Sequence, residues 1–191
     1  MKGVTNVLIA GVGGQGTILA SNLVSETALL LGHDVKKSEV HGLAQRGGSV
    51  ITNVRYGDNV YSPLIPDGMG DFLLAFEAVE AARYSPLLSE EGTMLVNTVN
   101  IPSVTILARL EEYPKDPLAG IRDNFKECVE ISATDEAVKL KNSRVANVIM
   151  LGAFAKRSGL ELDAFRQAIR NTVKERFVEL NLMAFDKGLE F

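Results

Sequence analysis

The sequence predicts an α/β fold: an open, mostly parallel Rossmann-like or flavodoxin-like sheet with a β-hairpin excursion and a helical C-terminal part. Three observations predict it. An apolar run, Val7-Leu8-Ile9-Ala10, feeds the glycine-rich turn GVGGQG at Gly11 to Gly16 and then a helical pattern. Short apolar strands then alternate with turns and helical stretches as far as about residue 133. Four helical stretches follow with no strand between them. The chain reads as one domain over residues 1–191, with a sheet core from about 5 to 133 and a helical tail from about 134 to 191.

The elements follow in order. Gly11, Gly13 and Gly16 have the dinucleotide spacing, in which glycine makes the tight turn, admits a pyrophosphate, or lets the helix pack on the strand. Thr17 to Leu31 reads as a helix with Ile18, Leu19, Leu23, Leu29 and Leu30 on one broad face. An extended segment near Val35 to Val40 leads into a polar, glycine-rich loop, His41 to Gly48, and a strand, Ser49 to Tyr56. Gly57-Asp58-Asn59 turns the chain into Val60-Tyr61-Ser62, a hairpin closed by Pro63 and Pro66. Asp71 to Phe76 reads as a short buried strand, Glu77 to Leu88 as a helix, and Thr93 to Asn97 as a strand after the Glu91-Gly92 turn. Val104 to Ala108 and Val129 to Ser132 are further strands. Asp135 to Lys139, Val145 to Lys156, Asp163 to Arg170 and Lys174 to Lys187 read as helices. Apolar residues crowd Phe177 to Phe185 too densely for a solvated helix, so burial within the domain or at an interface is expected.

Composition removes several function classes. With 191 residues and 46% hydrophobic content the chain can bury a substantial core. No apolar run approaches the roughly 18 residues of a membrane span, and no basic segment followed by an apolar one opens the chain, so a cytoplasmic protein is expected. A net charge of −4 with mixed signs argues against a nucleic-acid surface. Cys128 is the only cysteine, so this chain alone supplies neither a four-cysteine cluster nor a disulfide. His33 and His41 have no metal-ligand spacing, and no GxSxG, P-loop or HExxH is present. No catalytic or metal-ligating residue is assigned. If the chain belongs to an enzyme, the hard chemistry lies on another chain, and Cys128, within FKECVEIS, reads as a small core residue.

Two loops remain as candidate cofactor-binding segments. The first is Gly11, Gly13, Gly14, Gln15 and Gly16, where backbone N–H groups and a helix N-terminus favour an anion. A simple NAD enzyme fits poorly. The acidic residue expected about twenty positions on has only Glu39 as a candidate, and Glu39 runs into HGLAQRGG instead of a crossover helix. The second segment is Gln45, Arg46, Gly47 and Gly48, which puts a planar five-donor cation on a flexible backbone at the mouth of a strand. Two such loops in one α/β domain can meet at the edge of the sheet where ligands gather. Both also have a bland reading, in which the first loop only packs helix on strand and the second only makes a turn.

GVGGQG, EVHGLAQRGGSVITNVRYG, VYSPLIPDG, DFLLAFEAVEAAR, NVIMLGAF and VELNLMAFDKG together resemble the gamma-type subunit of 2-oxoacid:ferredoxin oxidoreductases over nearly the whole chain. Within that family HGLAQRGG is most similar to the beta subunit of the indolepyruvate type. The resemblance implies an accessory subunit of an enzyme that converts a 2-oxoacid, such as indolepyruvate or another arylpyruvate, to acyl-CoA, CO2 and reduced ferredoxin. It implies a larger partner subunit that carries thiamine diphosphate and the iron–sulfur clusters, with ferredoxin reached through the complex. No cofactor is then held by this chain alone; coenzyme A is a substrate of the complex, and the glycine loops either bind its phosphates or pack against the partner to close the thiamine cavity. Pro66-Asp67-Gly68 lacks the first glycine of the thiamine motif, in keeping with that division. The alternatives are a self-sufficient nucleotide-dependent oxidoreductase and a stand-alone Rossmann-type nucleotide-binding or assembly module without catalysis; in isolation the chain could form a homodimer.

Overall fold

The computed structural model describes residues 3–41, 47–102 and 112–191. Six strands form one sheet: β1 (Val4–Val12), β2 (Asp34–His41), β3 (Ser49–Gly57), β4 (Gly70–Ala75), β5 (Leu88–Asn97) and β6 (Glu127–Ile131), in the order β2-β3-β1-β4-β5-β6. β1, β4, β5 and β6 run parallel, and β3 lies antiparallel between β1 and β2. The helices are α1 (Thr17–Leu30), α2 (Ala78–Tyr84), α3 (Ala133–Lys139), α4 (Ala146–Ser158), α5 (Leu162–Thr172) and α6 (Val178–Gly188).

The period of two along each strand sorts its side chains between two cores. Val7, Ile9, Leu74 and Leu95 meet α1, α4, α5 and α6 on one face, while Leu8, Ala10, Leu73 and Met94 meet Ala78 and Ala81 of α2 on the other. Both faces of β1 are therefore buried, which is why Val7 to Ala10 is continuously apolar. Each such side chain contributes about 1.5–3 kcal/mol by leaving water. α4 is the hub of the larger core, buried without interruption from Asn147 to Ala155. Gly152 of α4 and Gly188 of α6 let the two helices touch backbone to backbone: a Cβ on Gly152 would collide with the Phe185 carbonyl and lie 2.8 Å from Gly188 Cα. Phe165 then joins α4 to α6, meeting Phe154 edge-to-face at 6.1 Å and stacking on Phe185 at 5.7 Å between centroids. Of the apolar stretch Phe177 to Phe185, Ala184 and Phe185 are buried and Leu180 and Leu182 pack partly against this core, while Phe177 and Met183 stay 39% and 56% exposed.

Several expectations need correction. Residues 58–69 contain no strand, so Val60-Tyr61-Ser62 does not form a hairpin; β3 pairs instead with β2, and the excursion is irregular because Pro63 and Pro66 interrupt any ladder. Ile18, Leu29 and Leu30 are 46%, 55% and 45% exposed, and α1 buries Ala20, Ser21, Leu23, Val24, Thr27 and Ala28 against the sheet and α5. Close approach to β3 favours small side chains there, so large residues do not mark the buried face. The helix expected from Glu77 to Leu88 ends at Tyr84, passing through a 3₁₀ turn at Ser85–Leu87 with Pro86 inside it. Glu91-Gly92 is not a turn but part of β5, in a stretch where its register against β4 shifts. The strand expected at Val104 to Ala108 lies outside the described residues. No helix among those described is long and apolar enough to cross a membrane.

Candidate functional site

At the carboxyl ends of the parallel strands, β1 leads to α1 on one face and β4 leads to α2 on the other, so a crevice opens between them. The loop after β1 is held from within. The Gln15 side chain accepts from Val12 N at 2.7 Å through Oε1 and donates to the Phe76 carbonyl at 2.7 Å through Nε2. Gly16 is left-handed at φ 85° and caps α1 with no side-chain bond, while its carbonyl accepts from Asn147 Nδ2 at 3.2 Å. A Cβ on Gly16 would collide with Asn147, whereas one on Gly14 (φ 107°) would meet open space. Gly14 thus borders the free volume of the crevice, a cleft of about 530 Å³.

Asn97, Thr134, Arg144, Asn147, Leu19 and Met150 also line this cleft. Asn97 donates to Thr134 Oγ1 at 2.9 Å and to the Phe76 carbonyl at 3.2 Å, fixing the ends of β4 and β5 to α3. Asn147 is buried, and its Oδ1 has no hydrogen-bond partner among the described residues. The helix termini carry the electrostatics. α1 and α4 both begin at this cleft with no capping side chain and no acidic residue in the first turn. Each of the other α-helices described has an acidic residue there: Glu80, Asp135 and Glu136, Asp163, or Glu179. The partial positive ends of two long helices therefore converge beside Arg144, a setting for an anion. A second hollow of about 270 Å³, lined by Val145, Val173, Phe177 and Leu180, shares Leu19 and Arg144 with the cleft and gives it a less polar arm.

The second glycine segment reaches the same edge. Gly13 N donates to the Gly48 carbonyl at 2.8 Å, and Gly47 N donates to the Gly13 carbonyl at 3.4 Å. Gly13, Gly14, Gln15 and Gly16 therefore stand beside Gly47 and Gly48, while Gly11 is packed under the loop against Gln15, Thr17 and Phe76. Gln45 and Arg46 lie outside the described residues.

Two carboxylates missed by sequence reasoning support this edge. Glu77 and Glu80, each 1% exposed, occupy the start of α2. Glu77 accepts from Val79 N at 2.7 Å and Glu80 N at 3.0 Å, capping the helix, and takes a bond from the Tyr113 hydroxyl at 2.5 Å. Glu80 accepts from Ser49 Oγ and from Arg83 Nε at 3.3 Å, with Tyr84 Oη 2.9 Å from the same serine. Burial raises the Glu80 carboxyl above its usual range, opposed by Ser49 and Arg83. Burial, then Glu77, raises the Tyr113 phenol. Cys128, half-buried on β6 against the smaller core, has its thiol raised by the same loss of solvent. Among the described residues no group of His, Cys, Asp or Glu is placed to hold a metal ion.

The family described as pyruvate ferredoxin/flavodoxin oxidoreductase matches residues 6–191. Indolepyruvate oxidoreductase subunit IorB of Pyrococcus horikoshii is 37% identical over 190 residues, 97% of this chain and 94% of that one. Among solved structures, the keto/oxoacid ferredoxin oxidoreductase gamma subunit of Geobacter sulfurreducens PCA has a TM-score of 0.73 at 28% identity, covering 97% of this chain and 96% of that one. The 2-oxoglutarate:ferredoxin oxidoreductase of Magnetococcus marinus, solved with 2-oxoglutarate, coenzyme A and succinyl-CoA, contains the same fold with a TM-score of 0.75 at 17% identity. All of this chain is covered there, but only 31% of that one.

Proposed function

The chain belongs to the pyruvate ferredoxin/flavodoxin oxidoreductase family, and on that footing we propose that it is the accessory subunit of a cytoplasmic, indolepyruvate-type 2-oxoacid:ferredoxin oxidoreductase. Its similarity to indolepyruvate oxidoreductase subunits over nearly its full length supports the substrate class. We read residues 1–191 as one gamma-type domain. The enzyme joins the acyl group of the 2-oxoacid to coenzyme A, releases CO2 and passes two electrons to ferredoxin. Thiamine diphosphate and iron–sulfur clusters supply the carbanion and electron-carrying chemistry, and the residues here fit neither group. Cys128 is the only cysteine, and Pro66-Asp67-Gly68 lies exposed in the excursion at the opposite end of the sheet. Both therefore belong to the larger partner subunit.

The contribution of this chain is to hold coenzyme A. The observation that carries this is the convergence on one cleft of two helix N-termini without acidic first turns, together with Arg144. Phosphates are the anions that such termini receive best, through N–H groups whose orientation is already fixed. Gly14, beside Gly13, Gly47 and Gly48, admits a pyrophosphate close to backbone, Gln15, Gly11 and Gly16 keep the loop in shape, and we read Gln45 and Arg46, from the sequence, as further donors to the same ligand. The Magnetococcus relative of this fold was solved with coenzyme A and succinyl-CoA, which supports the same ligand here.

The test is steady-state turnover of the assembled complex at varied coenzyme A. Arg144→Ala removes a forked cation that lines the cleft, Arg46→Lys replaces the forked cation of the second glycine segment, and each should raise the apparent constant for coenzyme A on the order of tenfold. Unchanged constants in both variants would return the two loops to a purely structural role.

A further inference from the structure

The excursion between β3 and β4 is irregular yet firmly built, and nothing in the proposed coenzyme A site uses it. Arg55 serves it: its Nη1 donates to the carbonyls of Ser62 and Leu64, both at 2.9 Å, while its Nε is fixed by Asn6 Oδ1 at 2.8 Å. Val60 N donates to Asp34 at 2.8 Å, Gly68 N to the Pro86 carbonyl at 3.1 Å, and Val60 and Ile65 are buried as anchors. This framework holds three large apolar side chains in water. Tyr61 is 94% exposed, Leu64 61% and Met69 56%. Long connections without secondary structure in a compact domain are usually functional. A rigid loop that presents a tyrosine pays little ordering entropy on binding, the property of an interface anchor.

Charge selects the occupant. Asp58 and Asp67 of the excursion are exposed, and so are Glu90 and Glu91 further along the segment whose Pro86 holds its base, with one exposed cation, Lys126, bonded through its backbone N to the Glu90 carbonyl. No side-chain partner is described for any of the four, and a second copy of this chain would bring the same acidic rim against itself. We propose that residues 58–69 form a preformed docking knob, anchored by Tyr61, for an apolar pocket ringed by lysine or arginine on the larger catalytic subunit. The proposal rests on the accessory-subunit reading and adds where the subunits meet. The knob follows the carboxyl end of β3, which runs antiparallel to β1, so it lies at the end of the sheet opposite the cleft, roughly 30 Å away at strand rise. Docking there leaves the cleft open to coenzyme A.

The experiment titrates the full chain into the larger subunit by isothermal calorimetry at low and high salt. Tyr61→Ala is expected to weaken association on the order of tenfold or more. Wild-type association should weaken as salt rises, and Asp67→Lys should reduce both the affinity at low salt and that salt dependence. All these positions are exposed, so the variants should keep the wild-type melting temperature. Variants that assemble like wild type, with no salt dependence, would overturn the docking surface and leave the accessory-subunit reading standing. A wild-type chain that fails to bind the larger subunit would overturn that reading itself. If Tyr61→Ala changes only the mass of the isolated chain in solution, the knob serves a second copy and the proposal fails.

Discussion

Gly14 and Gly16 share a left-handed backbone and meet opposite surroundings, so the same methyl group should do different damage at each. At Gly14 an alanine adds backbone strain of about 1–3 kcal/mol and projects into the cleft. At Gly16 it adds that strain and a collision with Asn147, overpacking that costs a further 1–3 kcal/mol or so. Urea unfolding should rank Gly16→Ala well below Gly14→Ala in stability. Gly14→Ala should instead raise the apparent coenzyme A constant of the assembled enzyme out of proportion to its loss of stability. The reverse ranking would mean that the loop does not have this shape. Glu80 gives a second test at this scale. Its carboxyl is raised by burial, so the folded state holds its proton more tightly than the unfolded one, and the stabilisation present at acid pH is lost as pH rises through the folded value. Glu80→Gln should therefore be more stable than wild type at about pH 8 and indistinguishable near pH 4, by urea unfolding at both. Equal stabilities at both would place the carboxyl in water.

At the scale of elements, the crossing of α4 and α6 through Gly152 and Gly188 is the tightest joint in the larger core. Gly152→Ala gains helix propensity but forces two backbones apart, so it should cost about 1–3 kcal/mol. In a domain of this size that is a melting temperature lower by roughly 2–4 °C for each kcal/mol. An unchanged melting temperature would show that α6 is loosely packed. The same elements show what the sequence makes legible. Strand β1 and its glycine turn are plain in the residues because continuous apolarity and glycine spacing are both local signals. The helical tail is legible in part: α5 carries a clear 3.6-residue period, whereas α4, buried continuously from Asn147 to Ala155, shows only length and apolarity. The buried face of α1 is not, because Ala20, Ser21, Thr27 and Ala28 are small or polar while Ile18 and Leu29 remain in water. Nor is the burial of Glu77 and Glu80, since acidic residues at a helix start ordinarily read as a solvated first turn. Their burial depends on Ser49 and Tyr113, far away in sequence. Asn147 meets Gly16 across 131 positions, so no local pattern announces that contact either.

At the scale of the whole molecule, the two ends of the sheet divide the work. The carboxyl end gathers the glycine loops, two helix N-termini and Arg144 around a cleft, and the opposite end presents Tyr61 within an acidic rim. Neither end contains a metal-ligating group among the described residues, and the chain has one cysteine in all. Such a molecule suits the proposed accessory role, with the thiamine and iron–sulfur chemistry assigned to the partner subunit. The most direct measurement is ferredoxin reduction with an arylpyruvate and coenzyme A by the purified chain alone, by the larger subunit alone and by the two together. The account predicts no turnover and no visible cluster absorbance from this chain, and full coenzyme A-dependent turnover only from the mixture. Turnover by the isolated chain, or full activity of the larger subunit without it, would contradict the account.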